Sequence, residues 1–329
     1  MIRHISVIAL SIFFASCGSY PAGELVFATN ERDGTVSVIE AASERVIDTI
    51  TTGGRPRGIR ISADGKRIYI AVSAPIDDQQ AEGFDKIVVI DTADGTVIDS
   101  INVNTDPEQL AVDPAQKYIY VSNEDTGTAT VTDIATGEPV KTLIAGIEPE
   151  GVTISPDGRW VYVTAETSNT VSVIDTETDR VAATFMVDSR PRDAAFSPDG
   201  SRAYVTTELG RTVAVVDARE HRVVHTIRVP RGDGSVKPMG VAVSNDGRRV
   251  YVATGRGNTV VVFDAESYEP VATVPVGRRV WGLALTPDGR KLYAANSLSD
   301  DVSVIDTSTN TVVATVRAGE GPWGIAIER

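Results

Sequence analysis

Residues 148–187 read "EPEGVTISPDGRWVYVTAETSNTVSVIDTETDRVAATFMV". A short apolar run leads into the turn "SPDGR". A second run, "WVYVTAE", is followed by a third, "TVSVID", then by the turn "TETDR" and a fourth run, "VAATFMV". The runs alternate apolar with polar residues, are rich in Val, Ile, Tyr and Thr, and are separated by turn formers. That pattern predicts four consecutive antiparallel strands. No stretch carries apolar residues at the 3.6-residue period of an amphipathic helix.

The unit recurs. Its first strand begins in a frame seen seven times: "GRPRGIRIS", "TDPEQLAVD", "IEPEGVTIS", "SRPRDAAFS", "VKPMGVAVS", "RRVWGLALT" and "EGPWGIAIE". The marker positions are Pro56, Pro107, Pro149, Pro191, Pro238, Val280 and Pro322, and four of the six steps between them are 42 residues. Four strands per repeat, seven times over, predict an all-β chain folded as a seven-bladed β-propeller. The ends fit ring closure. The domain starts at a second strand, "ELVFATN" (24–30), and finishes on an unpartnered first strand, "GPWGIAIE" (321–328), so the two ends are expected to complete one blade.

At the N-terminus, Arg3 and His4 precede an apolar run from Ile5 to Ala15 and then small, turn-forming residues. This predicts a secretory signal over residues 1–21, too short for a permanent span, and a propeller over 22–329 in the periplasm with no transmembrane segment of its own. The one cysteine, Cys17, lies in "FASCGS", which resembles a bacterial lipobox with Phe14 where Leu is usual. Lipidation of Cys17 and its removal with the signal are both open. A net charge of -14 with no basic run argues against nucleic acid and anionic lipid as partners. A monomer is expected.

Comparison among the seven copies separates scaffold from variable positions. The Asp-Gly turns (Asp64-Gly65, Asp157-Gly158, Asp199-Gly200, Asp246-Gly247, Asp288-Gly289) and the aspartates ending third strands (Asp91, Asp175, Asp217, Asp264, Asp306) recur, so they read as architecture. The proline frames and the loops between second and third strands open on the same face of a propeller. Two insertions fall on that face, at 73–86 and 230–236, marking it as the working one. Around its mouth the frames place Arg55 and Arg57, then Asp106 and Glu108, Glu148 and Glu150, Arg190 and Arg192, Lys237 and Met239, Arg279 and Trp281, and finally Trp323. Glu124, Glu166 and Glu208 add carboxylates from three consecutive blades. An acidic arc facing a basic arc is expected, with two tryptophans side by side at the seam. Arg–carboxylate pairs tying neighbouring blades would account for the alternation of charge. They do not account for Trp281 and Trp323 standing where other repeats carry charges.

The strands "VYVTAE", "IYVSNE", "AYVTTE" and "LYAANS", each followed by a "VSVIDT"-type strand, resemble the YVTN class of β-propeller repeats. The series "GGRPRGI", "DPE", "EPEGV", "SRPRDAAF", "KPMGV" and "GRRVWGLALTPDG" is similar to the β-propeller proteins associated with catabolism dependent on pyrroloquinoline quinone (PQQ). That resemblance implies an accessory role in periplasmic alcohol oxidation. It also implies a PQQ-dependent dehydrogenase, a cytochrome c or a transport component as partner. PQQ is planar and carries three carboxylates, a match for indoles beside Arg55, Arg57 and Arg279. A docking scaffold without a small ligand is the alternative, steered by the charged mouth. An enzymatic alternative is a metal-dependent, lactonase-like hydrolase: some propeller lactonases use rim carboxylates and a divalent metal, and Glu108, Glu150, Glu124, Glu166 and Glu208 are the carboxylates that could hold Ca²⁺ here. Histidine chemistry is disfavoured, since His4 leaves with the leader and His221 and His225 are placed away from the rim. A single cysteine cannot form the vicinal disulfide of the larger quinoprotein dehydrogenases.

Overall fold

The computed structural model describes residues 19–75, 78, 83–230 and 235–328; the leader's first 18 residues and Cys17 lie outside this set. The described residues form seven four-stranded antiparallel sheets and no helix, as the repeat predicts. Six blades are contiguous in sequence, from Arg55–Asn102 through Val280–Arg317. The seventh is the seam, in which Pro322–Ile327 pairs with Leu25–Asn30, followed by Thr35–Glu40 and Arg45–Thr51. The ends of the chain therefore close the ring through main-chain hydrogen bonds. Tyr20, inside the leader as bounded from sequence, packs on the seam and first blades. Its amide donates to the Ala93 carbonyl (2.7 Å) and its hydroxyl to Asp48 (2.7 Å).

The second and third strands of each blade are buried on both faces, and Val, Ile, Ala and Tyr from adjacent blades interdigitate there. The architectural aspartates behave as expected. Asp157 Oδ1 accepts from the Ser155 hydroxyl (2.5 Å) and the Arg159 amide (3.0 Å), with Gly158 at φ 74°. Asp175 Oδ1 accepts from the amides of Glu177 (2.9 Å) and Thr178 (3.3 Å). His221 and His225 lie outside the mouth: His221 Nδ1 meets the Tyr162 hydroxyl (2.8 Å), and His225 stacks on Tyr268.

The inner strands line the channel, and their register slips at the frame in every well-formed copy, for example between Pro149 and Val152. A missing proline N–H does not explain this by itself, because the slip also occurs between Val280 and Leu283. Five of the seven copies carry a glycine two positions after the marker, and the slip also occurs where Gln109 and Asp193 stand in its place. A Cβ on Gly282 would lie 2.5 Å from the Trp323 carbonyl oxygen, and one on Gly324 would lie 2.5 Å from that of Arg57. Each of these five glycines seats against the backbone of the next inner strand, and the slipped register turns the residue just after the marker toward the mouth. Gly282→Ala should force two backbones apart and destabilise the fold by about 1–3 kcal/mol, read as a lowered Tm in thermal unfolding followed by circular dichroism.

Candidate functional site: the channel mouth

Two ion networks occupy most of the mouth. In the first, Arg55 Nε donates to the Ala74 carbonyl (2.6 Å) and its Nη2 to Asp106 (2.8 Å). Arg57 pairs with Glu108 and lies 3.2 Å from Glu31, 3.4 Å from Asp106 and 3.9 Å from Glu124. Arg57 and Glu108 are buried. Four carboxylates thus surround two guanidinium groups, and the excess negative charge falls on Glu124. Burial first, then repulsion by Glu150 and Asp106, push its carboxyl up to about 7 against the pull of Arg57. Asp106, Glu108 and Glu124 each offer an oxygen, all within 4.8 Å of one another, an arrangement suited to a hard cation.

In the second network, Arg192 Nε and Nη2 both donate to Glu208 Oε2 (2.8 and 2.7 Å). Its Nη1 lies 3.1 Å from Glu150 and pairs with Glu166. Arg190 Nε is 2.6 Å from Glu166 and 3.1 Å from Glu208, and Lys237 Nζ donates to Glu208 (2.7 Å). Here three cations meet three carboxylates. Burial opposes charge on Arg192, but Glu150 and Glu208 outweigh it and hold the guanidinium above its ordinary range. Burial likewise works to raise the Glu208 carboxyl, yet Arg192 and the Lys237 hydrogen bond bring it below the usual value.

The tryptophans meet as the seam predicts, and they stack on one another with ring centroids 5.3 Å apart and planes 24° from parallel. The Arg279 and Arg192 guanidinium carbons lie 5.3 and 5.5 Å from the Trp281 ring centre. Trp281 Nε1 is buried without a hydrogen-bond partner. Arg279 differs from the other mouth cations named from sequence: among the described residues it has no carboxylate ion-pair partner. Burial first, with the neighbouring Arg256 and Arg192, lowers its pKa, against the opposing pull of Glu31 and Glu208. Below the tryptophans the channel narrows to a cavity of about 20 Å³, room for about one water, lined by Gln109, Glu150, Arg192, Asp193, Trp281 and Trp323 among others.

The expected acidic and basic arcs are corrected by this geometry. Long side chains reach across blade boundaries, so opposite charges interleave into two mixed networks instead of facing each other as a dipole. Glu166 and Glu208 converge on Arg192, whereas Glu124 joins Asp106 and Glu108. Sequence reading missed Glu31, Arg60, Gln109 and Asp193. For three of them the repeat held the signal: Gln109 and Asp193 replace the frame glycine, and Arg60 stands where the other copies have Ala or Thr.

Because the folded Glu124 carboxyl titrates at about 7, above the ordinary 4.5, its contribution to stability is fully present below about pH 4.5 and is lost as pH rises through 7. Glu124→Gln should flatten that part of the stability profile and raise Tm at pH 8 by roughly 1–2 °C per kcal/mol of repulsion relieved, measured by calorimetry from pH 4.5 to 8.

The profile of the choice-of-anchor I domain matches residues 15–190, more than half of the chain. That of the seven-bladed β-propeller lactonases matches residues 176–320. The seven-bladed beta-propeller protein Rv1057 of Mycobacterium tuberculosis is 32% identical over 110 residues, 33% of this chain and 26% of that protein, so the match spans about a quarter of the relative's length. Among solved structures, Kuenenia stuttgartiensis hydrazine synthase superposes with a TM-score of 0.71 at 24% identity over 82% of this chain and 88% of that one. A candidate 6-phosphogluconolactonase of Bacteroides uniformis superposes with a TM-score of 0.76 at 16% identity over 92% and 99%. At such identities the two structures speak to fold alone. By the extent of its profile match the chain belongs to the choice-of-anchor I domain family, and by its blades it is a seven-bladed β-propeller.

Proposed function

We propose that this propeller is an exported accessory protein of periplasmic PQQ-linked alcohol oxidation whose channel mouth binds a small planar anion, PQQ or a close relative. The resemblance of the ordered proline frames supplies the setting. The observation that carries the ligand class is Arg279, a half-buried guanidinium without a carboxylate, set against Trp281, whose buried Nε1 also lacks an acceptor. An anionic ring compound satisfies both. Arg279 would receive a carboxylate, Trp281 Nε1 would donate to an oxygen, and Lys237 from the adjacent blade and Arg192 from the blade beyond it would add positive field. The indoles already cover each other, so the ligand sits against the guanidinium groups and the indole edge. Arg55 and Arg57 are committed to Asp106 and Glu108 and play no direct part.

Backbone geometry makes this testable without confusing binding with folding. Arg279 has φ 56° in the left-handed region, where the seam repeat uses Gly321 at φ 72°. An arginine there costs about 1–2 kcal/mol of backbone strain. Arg279→Gly should therefore remain within about 1 kcal/mol of the parent's stability, because relieved strain offsets the entropy cost of glycine. Titration with PQQ, followed by tryptophan fluorescence at low salt, should show quenching that Arg279→Gly abolishes. Absence of quenching at ligand concentrations of tens of micromolar, or quenching unchanged in the variant, would refute the reading.

A second reading is metal-assisted lactone hydrolysis at Asp106, Glu108 and Glu124, favoured by their convergence and by the near-neutral Glu124. A divalent cation there would polarise the lactone carbonyl. With Asp106 and Glu108 holding the cation, Glu124 would take a proton from the attacking water and return it to the ring oxygen as the C–O bond breaks, giving the hydroxy acid. The stretch matching the lactonase profile, residues 176–320, does not include these three residues. If this reading holds, millimolar Ca²⁺ raises Tm and supports lactone hydrolysis, and Glu108→Gln removes both. A Ca²⁺-independent Tm with no hydrolysis excludes it.

A further inference from the structure

The inner strands run from the mouth to the opposite face, where they flare into a blind cup of about 600 Å³. Its wall includes Ile61, Val112, Ile154, Phe196, Ile325 and Ile327, and the narrow throat closes it from above. The volume lies within the range of small-molecule sites, roughly 300–1,000 Å³. One cation lines the cup, Arg60, and one carboxylate, Asp113, whose Oδ1 already accepts from the amides of Lys117 (2.6 Å) and Tyr118 (2.8 Å). Every other repeat carries Ala or Thr at this place (Ala111, Thr153, Ala195, Ala242, Ala284, Ala326), so the scaffold does not require an arginine.

Arg60 donates from Nη1 to the Ile59 carbonyl (2.8 Å) and from Nη2 to that of Val152 (3.4 Å), which leaves N–H donors of its five-donor fork for an acceptor in the cup. Asp193 is its electrostatic counterpart across the channel, but the two do not close into an ion pair. The Asp193 carboxylate is held instead by main chain, accepting from the Ala194 amide (2.9 Å) and the Val241 amide (3.2 Å). A guanidinium with spare donors in a cup that combines an isoleucine-rich wall with polar positions at Ser62, Asp113, Thr153 and Ser155 is complementary to a carboxylate on an apolar tail.

We propose that the face opposite the mouth binds a monocarboxylate amphiphile, its tail against the isoleucine-rich wall and its carboxylate on Arg60. The site is independent of Arg279 and of the anion assigned to the mouth.

The test is calorimetric titration of the purified protein with decanoate at sub-micellar concentration, with decanol and decyltrimethylammonium as neutral and cationic analogues. Decanoate should bind. Arg60→Met should weaken it at least about tenfold, the scale of a lost charge-assisted hydrogen bond. Arg60→Lys should weaken it less, because charge survives without the fork. Asp193→Asn should tighten it several-fold by removing a competing negative charge, a direction that general structural damage does not produce. Thermal melts of each variant establish folding, and the lysine variant serves if the methionine variant does not fold. Arg279→Gly should leave decanoate binding unchanged. No heat of binding, equal binding of the cationic analogue, or affinity unchanged in both Arg60 variants would overturn the proposal.

Discussion

The close seating of each inner strand against the next is the constraint on which this molecule depends. Where the frame has glycine, the neighbouring carbonyl comes within 2.3–2.7 Å of the place a Cβ would occupy, as at Gly151, Gly240 and Gly282. Any larger residue needs room. The chain makes that exception twice, and both exceptions have chemical consequences. Gln109 projects into the throat with an unpartnered Oε1, and Asp193 caps the Val241 amide at the start of an inner strand that is only three residues long. A departure from glycine is thus tied to a polar group inside the channel.

The same seating explains the mouth. With the inner strands seated this closely and the register slipped, the residue just after the marker turns into the channel opening, crowding one long side chain from each blade into a small space. Arginines and carboxylates from neighbouring blades then satisfy each other, because isolated buried charges would be far more costly than pairs. Pairing leaves two imbalances. Excess carboxylate around Arg57 raises Glu124 toward neutrality, and Arg279 is left on Trp281 without a counter-ion. Asp106, Glu148, Arg190 and Arg279, all flanking the frame, also hold left-handed backbone, with φ between 48° and 63°. Their side chains are retained at positions where glycine would be less strained.

Much of the fold was legible in advance because it is periodic. Blade number, strand order, Asp-Gly turns, the aspartate-capped third strands and the seam pairing all follow from residues recurring at a fixed spacing, and repetition averages away the uncertainty of any one strand. Individual site residues were legible as positions: Arg55, Arg57, Glu150, Arg192, Trp281 and Trp323 all reach the mouth. Their partners were not. Arg192 lies within reach of Glu150 and Glu166 on the preceding blade and of Glu208 on its own, and a linear order of frames does not say how far a guanidinium extends across a blade boundary.

By itself, then, the sequence determined the architecture and which positions vary upon it, since period and alternation are local properties that backbone hydrogen bonding converts directly into blades. Only the tertiary structure decided which of those positions act together. Charge compensation, the stacking of Trp281 on Trp323 and the separation of Arg60 from Asp193 depend on distances across the channel, between residues far apart in the chain. Those distances are set by how tightly seven inner strands close around a common axis.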